Sequence, residues 1–123
     1  MRPMRILITG GGGQLGRSLV RAFDGLEVVA LSHGELDVAD VAAVATAFER
    51  VRPDAVVHAA ALTDTARCEA EPELARAVNA AGSENVARAC ASADARLVAV
   101  STNEVFGGER SSPYAETDAT GPL

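Results

Sequence analysis

The sequence predicts an α/β fold built on a doubly wound parallel sheet, and three observations predict it. Apolar runs of strand length alternate with stretches of helical period. The runs are nearly continuous, as in strands covered on both faces, rather than alternating as in half-exposed ones. Between the first run and the first helical stretch lies Thr9 to Gly16, T-G-G-G-G-Q-L-G, the layout of a dinucleotide-binding turn.

Strand one is Arg5 to Thr9. A helix follows from Gln14 to Phe23, with Leu15, Leu19, Val20 and Phe23 on one face, and Asp24-Gly25 stops it. Leu26 to Leu31 is the second strand. Asp40 is placed to cap a helix whose apolar positions are Val41, Val44, Phe48 and Val51, and Arg52-Pro53 ends it before strand three, Ala55 to His58. A longer connection is expected from Ala59 to about Pro72, then a helix from Glu73 to about Ala91. Gly82 interrupts that helix at a cost of about 1 kcal/mol against alanine, so it should mark close packing or a ligand. Strand four is Arg96 to Ser101, and Thr102 to Leu123 reads as loop. Right-handed connections then predict a Rossmann-like sheet of order 3-2-1-4, truncated after about four strands, with ligands bound where strands one and four diverge.

The 123 residues give room for a single domain, and 48% hydrophobic residues give it a core. With aromatics at 3% and no tryptophan, that core is made of Ala, Val and Leu. The net charge of −6 and the lack of a basic stripe argue against nucleic acid. All 11 basic residues are arginine; lysine is absent. Cys68 and Cys90 lack metal-like spacing, no leader pattern opens the chain, and no apolar run approaches a membrane span. A reduced, cytoplasmic protein without a metal is expected.

The residues after each strand form the candidate site: Gly10 to Gly16, Ser32-His33, Ala59-Ala60-Ala61, and Ser101 to Phe106. In the glycine turn, Gly13 lets amides approach a pyrophosphate, Gly16 lets helix and strand pack closely, and the helix N-terminus favours an anion. The glycines fit two registers, from Gly10 or from Gly11. Gly11 to Ser18 also approximates a triphosphate loop, but Arg17 stands where its lysine belongs and His58 where a magnesium-binding Asp is wanted. The tip of strand two is Ser32-His33 where an acid would bind the ribose of NAD. Its absence favours NADP(H). His33 either faces the extra phosphate or is an exposed loop histidine. Asp37 is near adenine or is simply a turn residue, and His58 reads as packed rather than as a base. The small side chains of Ala59 to Ala61 leave room for a flat ligand or fit a tight helix contact. Thr63, Asp64 and Thr65 line the next loop. Ser101 and Thr102 bring hydroxyls to the end of strand four, where Thr102 either donates to a carbonyl oxygen or bonds backbone.

Together, Met4 to Gly16, E-L-D-V-A-D (Glu35 to Asp40), R-P-D-A-V-V-H-A-A-A (Arg52 to Ala61), C-E-A-E-P (Cys68 to Pro72), A-V-N-A-A-G-S-E-N-V-A (Ala77 to Ala87), S-T-N-E-V-F-G-G (Ser101 to Gly108) and P-Y-A-E-T-D (Pro113 to Asp118) resemble the dTDP-4-dehydrorhamnose reductase family of extended short-chain dehydrogenases/reductases. The resemblance covers nearly the whole chain. It implies reduction of the 4-keto group of a nucleotide-linked 6-deoxysugar with NADPH or NADH. It also implies that Gly10, Gly13, Gln14, Leu15 and Gly16 hold the pyrophosphate, that Asp37 and Val38 border adenine, and that Ala59 to Ala61 pass under ribose and nicotinamide. Thr102 would be the catalytic hydroxyl and Asn79 the supporting helix residue; Thr63, Thr65, Asn103 and Glu104 would lie toward the sugar.

The departures matter as well. Asn103 and Glu104 replace the family's common Asp-Tyr, and Leu62, Thr65 and Ala66 depart from its loop after strand three. The tyrosine and lysine of Y-x-x-x-K are missing, and that motif should begin just after Leu123. Tyr114 matches the family's P-Y-x-E loop instead. The chain therefore looks like the cofactor-binding half of a nucleotide-sugar ketoreductase, inactive alone, with a homodimer left open. A non-catalytic NADP-binding regulator resembling the methionine adenosyltransferase β-subunit is the alternative.

Overall fold

A computed structural model describes residues 1–123. Four parallel strands form one sheet: β1 (Arg5–Thr9), β2 (Glu27–Leu31), β3 (Ala55–His58) and β4 (Arg96–Ala99). Their order is β2-β1-β3-β4, which corrects the expected 3-2-1-4. Hydropathy tells a strand from a helix but not which neighbour the strand takes, and here Asp54 decides. Its amide donates to the Arg5 carbonyl at 2.9 Å, and its carboxylate accepts from the Arg5 amide at 2.8 Å and from the Arg2 guanidinium at 2.6 and 2.8 Å. β3 is thereby tied to β1. Ladder register places Thr9 level with Leu31 and His58, and His58 level with Ala99, so all four strands end along one line. The divergence in the sheet lies between β1 and β3, not beside β4.

Helix α1 (Gln14–Ala22) lies in the crossover from β1 to β2, and α2 (Val41–Val51) in the crossover from β2 back past β1 to β3; the two run in opposite directions along the sheet, and right-handedness therefore puts them on opposite faces. Asp40 caps α2 through the Ala43 amide at 3.1 Å. Val44, Ala47, Phe48 and Val51 are buried from α2, whereas Val41, expected on that face, is 66% exposed. The core joins these residues to Leu7, Leu31 and Val56 of the sheet, to Leu36 and Val38, and to Val86 and Cys90.

The connection after β3 is not a plain loop. It holds α3 (Thr65–Ala70), capped by Asp64 accepting from the Arg67 amide at 3.0 Å. Six residues are too few for hydropathy to reveal. The single helix expected from Glu73 is three segments: α4 (Pro72–Arg76), a π-helical turn (Ala77–Ala81) and α5 (Gly82–Ala93). Gly82 is explained by packing, since a Cβ there would sit 2.7 Å from Val38 Cγ2. β4 stops at Ala99, short of Ser101. The remainder is loop apart from a 3₁₀ turn at Asn103–Val105.

Candidate functional site

A short strand, a turn of four glycines and a helix start produce a concentration of free amides. Gly10 has φ +66°, and a Cβ there would lie 2.7 Å from the Ala60 nitrogen, so only glycine lets the turn touch the backbone that follows β3. The Gly11 amide donates to the Leu31 carbonyl at 2.8 Å, and the Gly13 amide to the Gly10 carbonyl at 3.0 Å. Gly13 thus closes the turn rather than offering its own N–H. The amides of Gly12, Gln14, Leu15 and Gly16 have no acceptor in the protein, and Gly13 caps α1 without a side-chain bond. A Cβ on Gly16 would fall 2.2 Å from the Gly10 carbonyl oxygen, so that glycine packs helix against turn, not against strand as expected.

Two adjoining grooves open on this turn. The larger, about 500 Å³, includes Gly10, Gly13, Ser32, His33, Val38 and Ala59 to Ala61 in its walls, with Leu36, Leu62, Arg67, Leu74 and Val78. The second, about 480 Å³, shares Gly10, Gly13, Ala59 and Ala61 and adds Gln14, Leu15, Gly16 and Thr63. The two grooves therefore meet across a ledge, Ala59 to Ala61, and under the glycine turn.

A buried chain of hydrogen bonds supports that ledge. Thr9 is fully buried, and its Oγ1 accepts from the amides of Ala59 and Ala60, each at 3.2 Å. Its hydroxyl hydrogen is left for His58 Nδ1, 2.7 Å away. His58 must then carry its proton on Nε2, which donates to Ser83 Oγ at 3.0 Å, and Ser83 donates to the Asn79 carbonyl at 2.7 Å. Burial pushes the His58 pKa below its ordinary value, which keeps the ring neutral as this arrangement requires. Asn79, in the π-helical turn, holds Leu62 by both backbone groups: its Oδ1 accepts from the amide at 2.7 Å and its Nδ2 donates to the carbonyl at 3.0 Å. His58 is the packed histidine the sequence suggested. The roles of Thr9 and Ser83 were not legible, because each lies far from His58 in sequence and only the fold brings them together.

At the tip of β2 the structure supplies an acid where none was expected. Glu35 turns back so that one carboxylate oxygen accepts from the Ser32 amide at 3.1 Å and from Ser32 Oγ at 2.9 Å. Those bonds hold its carboxyl below the usual carboxylate range, the backbone bond contributing most. The signal was a serine followed three residues later by a glutamate, read only as part of a longer motif.

Other anticipated residues lie apart. Asp37 is exposed and accepts from the Ala39 amide at 3.0 Å, so it serves as a turn residue and is absent from the groove walls. Thr65 begins α3 and is exposed. Ser101 and Thr102 are exposed beyond β4, and Thr102 Oγ1 accepts from the Glu104 amide at 3.2 Å. Asn103 and Glu104 line a separate hollow with Phe106 and Tyr114, whose rings stack 4.4 Å apart. No group of three or more His, Cys, Asp or Glu side chains is placed to hold a metal, and both cysteines are free thiols.

A parallel sheet, a glycine turn with free amides at a helix start and a groove across the strand ends define the Rossmann-like α/β class. Comparison with known proteins narrows this. The family model described as RmlD substrate binding domain matches residues 4–123, and the chain belongs to the dTDP-4-dehydrorhamnose reductase family. It is 46% identical over 123 residues to dTDP-4-dehydrorhamnose reductase of Streptomyces griseus, covering 98% of this chain and 40% of that protein. The crystal structure of the Bacillus anthracis dTDP-4-dehydrorhamnose reductase in complex with NADP superposes with a TM-score of 0.94 at 33% identity, covering 99% of this chain and 44% of that one. The Clostridium acetobutylicum ortholog gives 0.93 at 40% identity, over 97% and 43%. The chain thus spans about two fifths of the length of these relatives.

Proposed function

We propose that residues 1–123 are the NAD(P)-binding domain of an oxidoreductase that reduces the 4-keto group of a nucleotide-linked 6-deoxysugar, as in dTDP-rhamnose biosynthesis. The observation that carries this reading is the row of free amides at Gln14, Leu15 and Gly16, opening on a groove floored by alanines. Unpaired amides at a helix start suit a pyrophosphate, and a Cβ at Gly10 or Gly16 would destroy the cradle.

When bound, NADPH or NADH supplies the hydride. The chain's own residues bind and orient. Gly10, Gly13 and the amides of Gln14, Leu15 and Gly16 form the pyrophosphate cradle; Ser32 and His33 stand at the adenosine ribose; Val38 borders adenine, with Asp37 behind it. The ledge Ala59 to Ala61, fixed by Thr9 and His58, lies beneath ribose and nicotinamide. Ser101 and Thr102 stand at the nicotinamide end, where the Thr102 hydroxyl, whose oxygen accepts from the Glu104 amide, keeps its hydrogen to donate to the substrate keto oxygen. Thr63, Thr65, Asn103 and Glu104 face the sugar. These residues contain no lysine, and Tyr114, the single tyrosine, accepts from the Arg110 amide at 3.3 Å and stacks on Phe106. The acid that protonates the alkoxide is therefore assigned to sequence beyond these residues. No helix is long and apolar enough to cross a membrane, and the two free thiols agree with a cytoplasmic enzyme.

The test uses the full-length protein with dTDP-4-dehydrorhamnose and each reduced cofactor, following loss of nicotinamide absorbance. Turnover that disappears in Thr102→Val supports the reading. Tight cofactor binding with no turnover on any 4-keto nucleotide sugar would instead favour a regulatory subunit, and no cofactor binding would refute the proposal.

A further inference from the structure

Val38 lines the larger groove at its adenine end, yet it belongs to neither a strand nor a helix. Such a stretch has no ladder to hold it, so its place must come from contacts made elsewhere. Two of them grip a single peptide unit. The Ala39 amide donates to Asp37 Oδ1 at 3.0 Å, and the Val38 carbonyl of the same peptide accepts from Asn85 Nδ2 at 3.0 Å. Asn85 is half-buried in α5, and the Ala39 carbonyl lies 3.5 Å from the same nitrogen. Because both neighbours only accept, the side chain must present its NH2 rather than its oxygen.

The same helix receives the Val38 side chain. A Cβ on Gly82 would stand 2.7 Å from Val38 Cγ2 and 3.4 Å from the Val38 carbonyl carbon, so glycine lets the two meet. The first turn of α5 therefore seats the side chain at Gly82 and ties the backbone at Asn85. The Val38 amide is left without an acceptor in the protein, a donor still available to the edge of a base. Asn79, just before α5, holds Leu62, which also lines the groove. Asn79 to Asn85 thus fixes two separate stretches of the groove lining, and Asn85 itself is not among the lining residues.

We propose that Asn85 is a positioning residue for the adenine end of the groove, setting the place of Val38 without meeting the ligand. The inference rests on the reading of the groove as a nicotinamide-nucleotide site and adds to it a residue outside the groove walls.

Calorimetry on the full-length protein tests it with two titrants: the reduced cofactor that the wild type binds more tightly, and ADP, which carries the adenosine end alone. Asn85→Leu keeps the bulk and removes the donor. It should raise both dissociation constants by about tenfold, the effect of about one hydrogen bond, with the number of sites per chain unchanged. Asn85→Gln keeps a donor on a longer arm and should recover part of the loss, and Asn85→Ala replaces the leucine variant if that one does not fold. A tie that merely stabilised the fold would lower the number of sites and leave both constants within about twofold of wild type, which overturns the proposal. So does a weakened cofactor with ADP unmoved, because the effect then lies at the ledge, and so does a wild type that binds cofactor but not ADP. Failure of the folded wild type to bind either reduced cofactor overturns the site reading as well.

Discussion

Replacing Thr9 by valine keeps the shape of the side chain and removes one oxygen, and that oxygen is the hub of the buried chain. Three partners lose it together: the Ala59 amide, the Ala60 amide and His58 Nδ1. The two amides border a groove, so water recovers part of their loss. The imidazole nitrogen cannot be rescued this way, because His58 is only 3% exposed. One fully orphaned group and two partly recovered ones, at about 1–3 kcal/mol for each group left unsatisfied, predict a loss of roughly 2–4 kcal/mol for Thr9→Val. Thr9→Ser keeps the oxygen and deletes a methyl, and should cost only about 1 kcal/mol. Urea unfolding followed by circular dichroism measures both. The chain of donors is wrong if Thr9→Val lies within about 0.5 kcal/mol of wild type, or if serine costs as much as valine.

Gly16→Ala should destabilise by roughly 2–3 kcal/mol, since its Cβ would overlap the Gly10 carbonyl at 2.2 Å, whereas Gly12→Ala, whose Cβ would meet Ser32 Cβ at 3.2 Å in a tight contact without overlap, should cost far less; thermal melts decide. His58 is held neutral by burial, its folded pKa lying below the unfolded 6.5, so its stabilising contribution is complete above that pH and is lost as pH falls toward the folded value. Stability measured between neutral pH and mild acid should show this slope in wild type and lose it in His58→Asn. Glu35 and Asp54 have carboxyls lowered by the Ser32 and Arg5 amides respectively, so their contributions are present above the ordinary carboxylate range and vanish only in stronger acid. A polypeptide of residues 1–123 leaves one edge of β4 unpaired, with Val98 61% and Val100 50% exposed, and should self-associate; light scattering that finds only monomer refutes this, and Val98→Lys should weaken it.

The elements that could be read from sequence are those fixed by near neighbours. β1 and β3 appear with the anticipated bounds because each is an apolar run closed by a glycine turn or preceded by proline, and α2 starts at Asp40 because a carboxylate reaches an amide three residues on. Eight of the anticipated residues, Gly10, Gly13, Ser32, His33, Val38 and Ala59 to Ala61, do meet in one groove, since residues following parallel strands must share an edge. Strand order escaped, because Asp54 settles it through contacts with Arg2 and Arg5 that hydropathy does not encode. The acid beside Ser32 escaped for a different reason: the strand tip itself carries Ser32-His33, while Glu35 reaches back to it by a turn. α3 and the π-helical turn were too short, or too like ordinary helix, to leave a periodic trace.

The wide turn at Ala77–Ala81 has a consequence for how this helix can change over generations. It holds one residue more than an ordinary turn, with the Gly82 amide reaching back to the Ala77 carbonyl. Losing either alanine between Asn79 and Ser83 would restore regular helix and rotate everything before it by about 100° against α5. Asn79 would then leave Leu62, or Ser83 would leave His58. A codon deletion that looks harmless in a run of alanines would disconnect the ledge from its support, whereas substitutions among those same alanines leave the phase untouched.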